Sequence, residues 1–405
     1  MSLVTERVTP PRLLRQFGTL SGARGLAAAV SFLWFALATR ELAVPELADL
    51  TLLLSLGAML SVVSDWGYAV VLNEAVAKDP ATGRASFVLA LRRRLWLVPI
   101  AAVGTAVLYL TSAVDRTPVV PLIYAVSLVA SVVYTTATAA LRGAGQVSPD
   151  AINEVLSRVV MLLLGGALVM QGAGVTTVVG VYAAIDVGSA VVLGAVAWRR
   201  LGSERPADAT AFAASRLVPL GFASLIGLVY YRVDVWLLAV LSSAGEVARY
   251  SVCYRLLDGV IIPAGVLAVL VVGSTSTLAL ADARRKVDRM AGALCAAMLP
   301  IVAVFELAPG WILRVAFGAP YTDAAPVLRI LAVAIIPTVA GLAWAPLAGL
   351  RGHGLVRVTA ISLIGNLALN FVLVPPLGGE GAAIATVVGQ VVFAALLRAS
   401  LRERT

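Results

Sequence analysis

Long apolar runs alternate with short polar breaks along the whole chain. The hydrocarbon core of a bilayer, about 30 Å thick, takes roughly 20 consecutive apolar residues as helix. Twelve runs reach that length: 18–39, 47–72, 95–113 (with a start as early as Phe87), 119–140, 151–171, 175–197, 217–241, 247–272, 290–312, 326–349, 355–374 and 381–398. Backbone facing lipid must satisfy its hydrogen bonds within its own segment, so each run is expected to be a helix. The pattern predicts an all-α, polytopic membrane protein of 12 transmembrane helices. Gly67, Pro99, Pro263, Pro300, Pro337 and Pro346 fall within runs, where kinks are expected. The N-terminal stretch lacks a short apolar core with a cleavage site, so no removable signal peptide is expected.

Composition agrees. Of 405 residues, 60% are hydrophobic and 13% charged. A soluble domain has about half apolar and about a quarter charged residues, and a soluble core of this length cannot hide the surplus. Soluble enzymes, secreted modules and disordered scaffolds are set aside. One histidine, His353, and two cysteines, Cys253 and Cys295, show no metal or disulfide spacing. No metal is expected, and without a GxxxxGK[ST] phosphate loop no nucleotide or other cofactor is expected either.

The net charge is +9, which in a soluble protein would point to nucleic acid. Here the positions of the charges report topology instead, and no nucleic-acid partner is expected. If the N-terminus lies inside, most basic residues fall on inner segments, including Arg7, Arg12, Arg15, Arg84, Arg92, Arg93, Arg94, Arg199, Arg200, Arg284 and Arg285. Only Arg40, Arg116, Arg249 and Arg314 fall on outer edges. This bias puts both termini in the cytoplasm.

The chain also matches itself. Leu141-Arg142-Gly143-Ala144-Gly145-Gln146-Val147 resembles Leu350-Arg351-Gly352-His353-Gly354-Leu355-Val356, 209 residues later. At the same offset Gly172-Ala173 matches Gly381-Ala382, and Thr177-Val178-Val179-Gly180 matches Thr386-Val387-Val388-Gly389. Glu46-Leu47-Ala48 precedes span 2 as Glu246-Val247-Ala248 precedes span 8, at offset 200. Two six-helix lobes are expected, 1–205 and 206–405, related by a parallel pseudo-repeat. In secondary transporters of that design the substrate site lies between the halves near mid-membrane.

Several stretches then resemble one family. They are Glu46-Leu47-Ala48-Asp49-Leu50 with Ser64-Asp65-Trp66-Gly67-Tyr68; Tyr231-Arg232-Val233-Asp234; Val247-Ala248-Arg249-Tyr250-Ser251; and Tyr254-Arg255-Leu256-Leu257-Asp258. Leu328-Arg329-Ile330-Leu331-Ala332, Asn366 to Asn370, and Pro375 with Gly381-Ala382-Ala383-Ile384-Ala385-Thr386 continue the likeness. Nearly the whole chain is similar to the O-antigen/polysaccharide flippases of the multidrug/oligosaccharidyl-lipid/polysaccharide exporter superfamily. The resemblance implies two lobes around a central cavity and a bacterial cell-membrane location. It implies alternating-access transfer of a polyprenyl-pyrophosphate-linked oligosaccharide from the inner to the outer leaflet.

Ionisable groups at membrane depth are costly and face a cavity or a partner. Arg24, Arg232 and Arg255 are the candidate head-group ligands, since guanidinium groups stay protonated and grip phosphate oxygens in pairs. Snorkelling is the competing role for Arg24, and an intrahelical pair with Asp258 for Arg255. Asp65, Asp234 and Asp258 are candidates for coupling to a proton or sodium gradient, against permanent pairing with arginine. Asp186 and Glu306 rank below them, and Arg158 and Arg329 read as anchors near helix ends. Tyr230, Tyr231 and Trp236 read as packing rather than sugar stacking, Arg92-Arg93-Arg94 as topology, and the LRGxG loops as helix caps.

The leading expectation is therefore a flippase, not an enzyme, working as a monomer with lipid-linked oligosaccharide, membrane lipids and a counter-ion as partners. The alternatives are a cation-coupled multidrug exporter and a membrane glycosyltransferase or polymerase. A scaffold that recruits partners is a further alternative.

Overall fold

In the computed structural model, residues 10–111, 119–273, 280–349 and 354–401 are described. His353, Arg7, Arg116 and the second loop motif from Leu350 as far as His353 lie outside them. The elements are α1 (Pro10–Glu41), α2 (Val44–Asp65), α3 (Tyr68–Lys78), α4 (Gly83–Leu95), α5 (Val98–Thr111), α6 (Val119–Gly143), α7 (Ser148–Val160), α8 (Gly166–Met170), α9 (Val175–Arg200), α10 (Ala214–Leu241), α11 (Ala244–Gly273), α12 (Leu280–Leu307), α13 (Pro309–Phe317), α14 (Ala325–Gly349) and α15 (Gly354–Ser400). A turn of π-helix, Met161–Gly165, joins α7 to α8. Among the described residues there is no strand.

Nine of the described helices are long and apolar enough to cross a membrane. One of these is α15, whose 47 residues would reach about 70 Å if unbroken, more than twice the hydrocarbon core. It is two spans joined at Gly378, which has φ +54°. Adding α11 and the broken pair α4–α5 brings the total to the expected twelve. The pair breaks at Trp96–Leu97, just ahead of Pro99, so the third span differs from the run 95–113 in starting earlier. Span 2 breaks where Gly67 predicts a kink. Trp66 and Gly67 both take positive φ, and the Asp65 carboxylate accepts the backbone N–H groups of Gly67 and Ala69 at 3.2 and 3.0 Å.

Neighbour relations repeat between the halves. In the first, α6 packs on α3, α4 and α9; in the second, α14 packs on α11, α12 and α15. The two glutamates picked out by the self-match do the same work. Glu46, at the start of span 2, accepts the N–H of Val175 at the start of span 6, at 3.2 Å. Glu246, at the start of span 8, accepts the N–H of Gly379 at the start of span 12, at 2.8 Å. Each carboxylate satisfies orphan donors at a helix N-terminus and meets its positive dipole end. Side chains at Gly174 or Gly379 would crowd these carboxylates, so glycine lets the helix start approach. The first LRGxG loop is an ordinary cap: Gly145 takes φ +74°, and Gln146 N–H returns to Leu141 O at 2.8 Å.

The halves meet along α2, which packs against α10 and α11 and buries Leu47, Ala48, Leu50, Leu52, Leu53 and Leu56 in a core shared by both lobes. The linker 201–213 and the start of α10 lie against α3 and α4: Arg84 N–H bonds Gly202 O at 2.8 Å, and Tyr68 stacks on Phe212 at 5.9 Å. Arg94, in the Arg92-Arg93-Arg94 run, is only 1% exposed. It donates to Ser64 O, Thr136 and Thr135 at 3.1, 2.7 and 3.1 Å and pairs with Asp65 at 3.3 Å. It is thus a buried bolt between spans rather than a topology charge in water.

Candidate functional site

A cavity of about 1360 Å³ lies between the lobes. Helices α1, α2, α7 and α9 of the first half and α10 and α11 of the second line it, with Phe305 of α12. The three arginines singled out from the sequence all border it. They come together because the middle stretches of α1, α10 and α11 face one another across the lobe boundary.

Arg232 is the most elaborately held. Its guanidinium lies 3.4 Å from the Asp258 carboxylate and over the rings of Tyr231 and Tyr254, at 4.9 and 5.6 Å. The Tyr231 hydroxyl donates to the same carboxylate. The pair bridges α10 and α11, with side chains 24% and 9% exposed, so one edge of the guanidinium stays open to the cavity. Arg255 has a different partner from the expected one: its guanidinium sits 5.0 Å over the Phe35 ring of the opposite lobe, while Asp258 turns to Arg232. Arg24 is exposed on the wall of α1.

A fourth arginine was missed. Arg158 reads from the sequence as an anchor, yet it lines the cavity beside Glu154, 3.7 Å away on α7. Its position 11 residues into the helix that starts at Ser148 was the available signal, since that places it well inside the membrane. Tyr182 stands near Arg158 and Arg255, within electrostatic reach of both, and accepts a hydrogen bond from Trp34 Nε1 at 2.8 Å.

The three candidate coupling carboxylates separate. Asp258 borders the cavity, bound to Arg232. Asp65 lies outside it, bound to Arg94. Asp234 is buried behind the wall, accepting the Tyr250 hydroxyl and the Val235 N–H; Tyr250 also meets Thr386 of α15 at 3.1 Å. Its partners are neutral donors rather than a guanidinium. Asp186 accepts the Ser127 hydroxyl, and Arg329 donates to the Glu306 carbonyl at 3.2 Å. Tyr230 packs on Phe393 at 5.5 Å and donates to Gly389 O, as a packing residue would, but Tyr231 serves the site.

The lobes also touch each other toward both ends of the bundle. At the linker end, Trp66 meets Phe222 at 5.3 Å, Arg93 donates to Phe212 O at 3.0 Å, and Glu74 pairs with Arg216 at 2.5 Å. Lys78 and Arg216 hold the Glu74 carboxyl below its usual range. At the far end, Phe317 meets Phe32 and Phe35 at 5.9 and 6.1 Å, and Arg40 donates to Val315 O. Among the described residues no cluster of His, Cys, Asp and Glu has the arrangement of a metal cage. The described lining gathers guanidinium groups beside the aromatic side chains of Phe32, Phe35, Tyr182 and Tyr254.

A family model described as polysaccharide biosynthesis protein matches residues 13–274. Among curated proteins none matches the sequence significantly. In fold, the chain is similar to the lipid II flippase MurJ in an inward closed conformation, with TM-score 0.75 at 13% identity over 95% of this chain and 87% of that one. It is also similar to an inward-facing multidrug resistance MATE transporter of the MOP superfamily, with TM-score 0.68 at 16% identity over 97% of each chain. A MOP-superfamily transporter from Pyrococcus furiosus, characterised by reversed polarity of its binding pocket, superposes with TM-score 0.67 at 16% identity over 98% of each chain. At these identities the likeness is one of fold.

Proposed function

The chain belongs to the polysaccharide biosynthesis protein family, and from that premise we propose that it is a flippase for polyprenyl-pyrophosphate-linked oligosaccharide. The observation that carries this reading is the excess of guanidinium groups in the cavity between the lobes: among the described residues four arginines line it against two carboxylates. An anionic carrier crossing a low-dielectric region needs such compensation. A cavity for cationic drugs would carry the opposite balance.

In this reading the substrate enters from the cytoplasmic leaflet of the bacterial cell membrane. Arg24, Arg232 and Arg255 bind the pyrophosphate, and the aromatic walls contact the sugars. The far-end contacts at Phe317 and Arg40 then part while the linker-end contacts hold, releasing the cargo outward. The linker face, with its arginines, is the cytoplasmic one, and lobes 1–205 and 206–405 rock as units. We assign coupling to Asp234 among the three carboxylates, because arginine already neutralises Asp65 and Asp258. A proton or a sodium ion serves equally. The chain acts alone and makes or breaks no covalent bond.

The test is transfer of a fluorescent polyprenyl-pyrophosphate oligosaccharide across proteoliposomes containing the purified chain. Gradient-dependent transfer is expected, with no uptake of ethidium in parallel vesicles. Ethidium uptake without lipid transfer would assign the cavity to drugs.

A further inference from the structure

The cavity's charge is informative beyond its sign. Among the described residues its ionisable lining comprises Arg24, Arg158, Arg232, Arg255, Glu154 and Asp258, with two tyrosines, Tyr182 and Tyr254. Both carboxylates are already engaged, Glu154 with Arg158 and Asp258 with Arg232. Among the described residues Arg24 and Arg255, one from each lobe, have no carboxylate in ion-pair contact; Arg255 sits over the Phe35 ring and shares the field of Asp258, which Arg232 already holds. Asp186 and Asp234 sit behind the wall on hydroxyl partners and do not border the cavity. Arginine stays protonated throughout, so the four arginines and two carboxylates of the described lining leave two positive charges in excess.

We propose that the cavity is charge-matched to a dianion, so that the cargo carries two negative charges in all and its glycan is uncharged when the carrier is a pyrophosphate diester. The inference rests on the flippase reading. A pyrophosphate diester has one ionised oxygen on each phosphorus, which matches Arg24 and Arg255 one for one. When the lobes close on the cargo and water leaves, any unmatched charge sits in low dielectric, where its cost rises steeply. A third negative charge on the sugar, or the loss of one phosphate, leaves one charge stranded. A monophosphate carrier bearing one acidic sugar has the same total and fits the same rule.

The experiment uses the full chain in nanodiscs and four probes: polyprenyl monophosphate with one neutral hexose, polyprenyl pyrophosphate with one neutral hexose, polyprenyl pyrophosphate with one hexuronic acid, and polyprenyl monophosphate with one hexuronic acid. Their charges are one, two, three and two. The two dianions should bind about tenfold or more tighter than the others, the factor that 1.4 kcal/mol of residual charge represents. Glu154→Gln adds one positive charge and should move the optimum to the trianion. Arg158→Gln removes one and should move it to the monoanion. A wild-type protein that binds the trianion as tightly as the dianions overturns the charge match and leaves the flippase reading standing. Variants that leave the ranking unchanged do the same. Binding of none of the four overturns both.

Discussion

Replacing Arg232 by alanine is the sharpest perturbation of the proposed site. It removes a guanidinium 3.4 Å from Asp258 and two aromatic contacts at 4.9 and 5.6 Å. Hydrogen bonds to charged groups contribute about 1.5–3 kcal/mol, so head-group affinity should fall roughly 10- to 150-fold. Fold stability should suffer less. Breaking a fully buried pair costs about 3–5 kcal/mol. Here the arginine edge is open to the cavity, and Asp258 keeps the Tyr231 hydroxyl. Arg232→Lys keeps the charge but loses the planar fork and its stacking, and should fall between the two. Export is measured as surface polysaccharide in a deletion strain, with protein level quantified in the same membranes and lipid-linked repeat units extracted from the inner leaflet. Arg232→Ala should accumulate repeat units inside and lose surface polysaccharide. Normal export at normal protein level refutes the assignment of Arg232. Lysine performing no better than alanine refutes the electrostatic argument behind it.

Four further outcomes follow from the same geometry. Gly381→Ala should lower the melting temperature markedly, because a Cβ there overlaps the Leu373 carbonyl across the Gly378 break and backbone cannot yield cheaply; an unchanged melt would mean the two arms of α15 are loosely packed. Glu246→Ala should cost about 1–2 kcal/mol by stranding the N–H of Gly379, and Glu46→Ala should do the same at Val175, both read by thermal unfolding. Glu74 has a depressed folded pKa, so its contribution is complete above the ordinary glutamate range near about pH 4.3 and is lost only as pH falls through the lower folded value. The difference in melting temperature between wild type and Glu74→Gln should therefore stay constant from about pH 7 to 5, and its collapse within that window would contradict the pairing. Asp234→Asn should leave cargo binding intact and abolish the dependence of transfer on an ion gradient; gradient-driven transfer at the wild-type rate would remove Asp234 from the coupling step.

Much of the architecture was legible along the chain. Glu46 and Glu246 show why the self-match was informative, since both perform one task, reaching the start of a helix four spans on in their own half. The Gly67 break was legible because a positive φ there favours glycine. The environment of Arg94 was not. Beside Arg92 and Arg93 it looks like a cytoplasmic charge, and only the approach of Thr135 and Thr136 on α6 makes it a buried donor. Asp258 turned to Arg232 rather than to Arg255 three residues away. Helices such as α10 and α11, apolar on every side, carry no face signal, so periodicity along them does not say which way a charged residue points. Arg158 is the contrary case: α7 has a polar face, with Asn153, Glu154, Ser157 and Arg158 one turn apart, and that pattern was readable.

The sequence by itself determined the solvent, the number of spans and the duplication, because lipid tolerates only long apolar segments with satisfied backbones. It also placed guanidinium groups at depth, where their cost demands a partner or a cavity. Only the tertiary structure decided which of them share that cavity and which carboxylate each one meets. Those choices depend on helix rotation and on contacts between residues more than a hundred positions apart, such as Arg255 with Phe35 or Arg216 with Glu74, and no local run of residues encodes them.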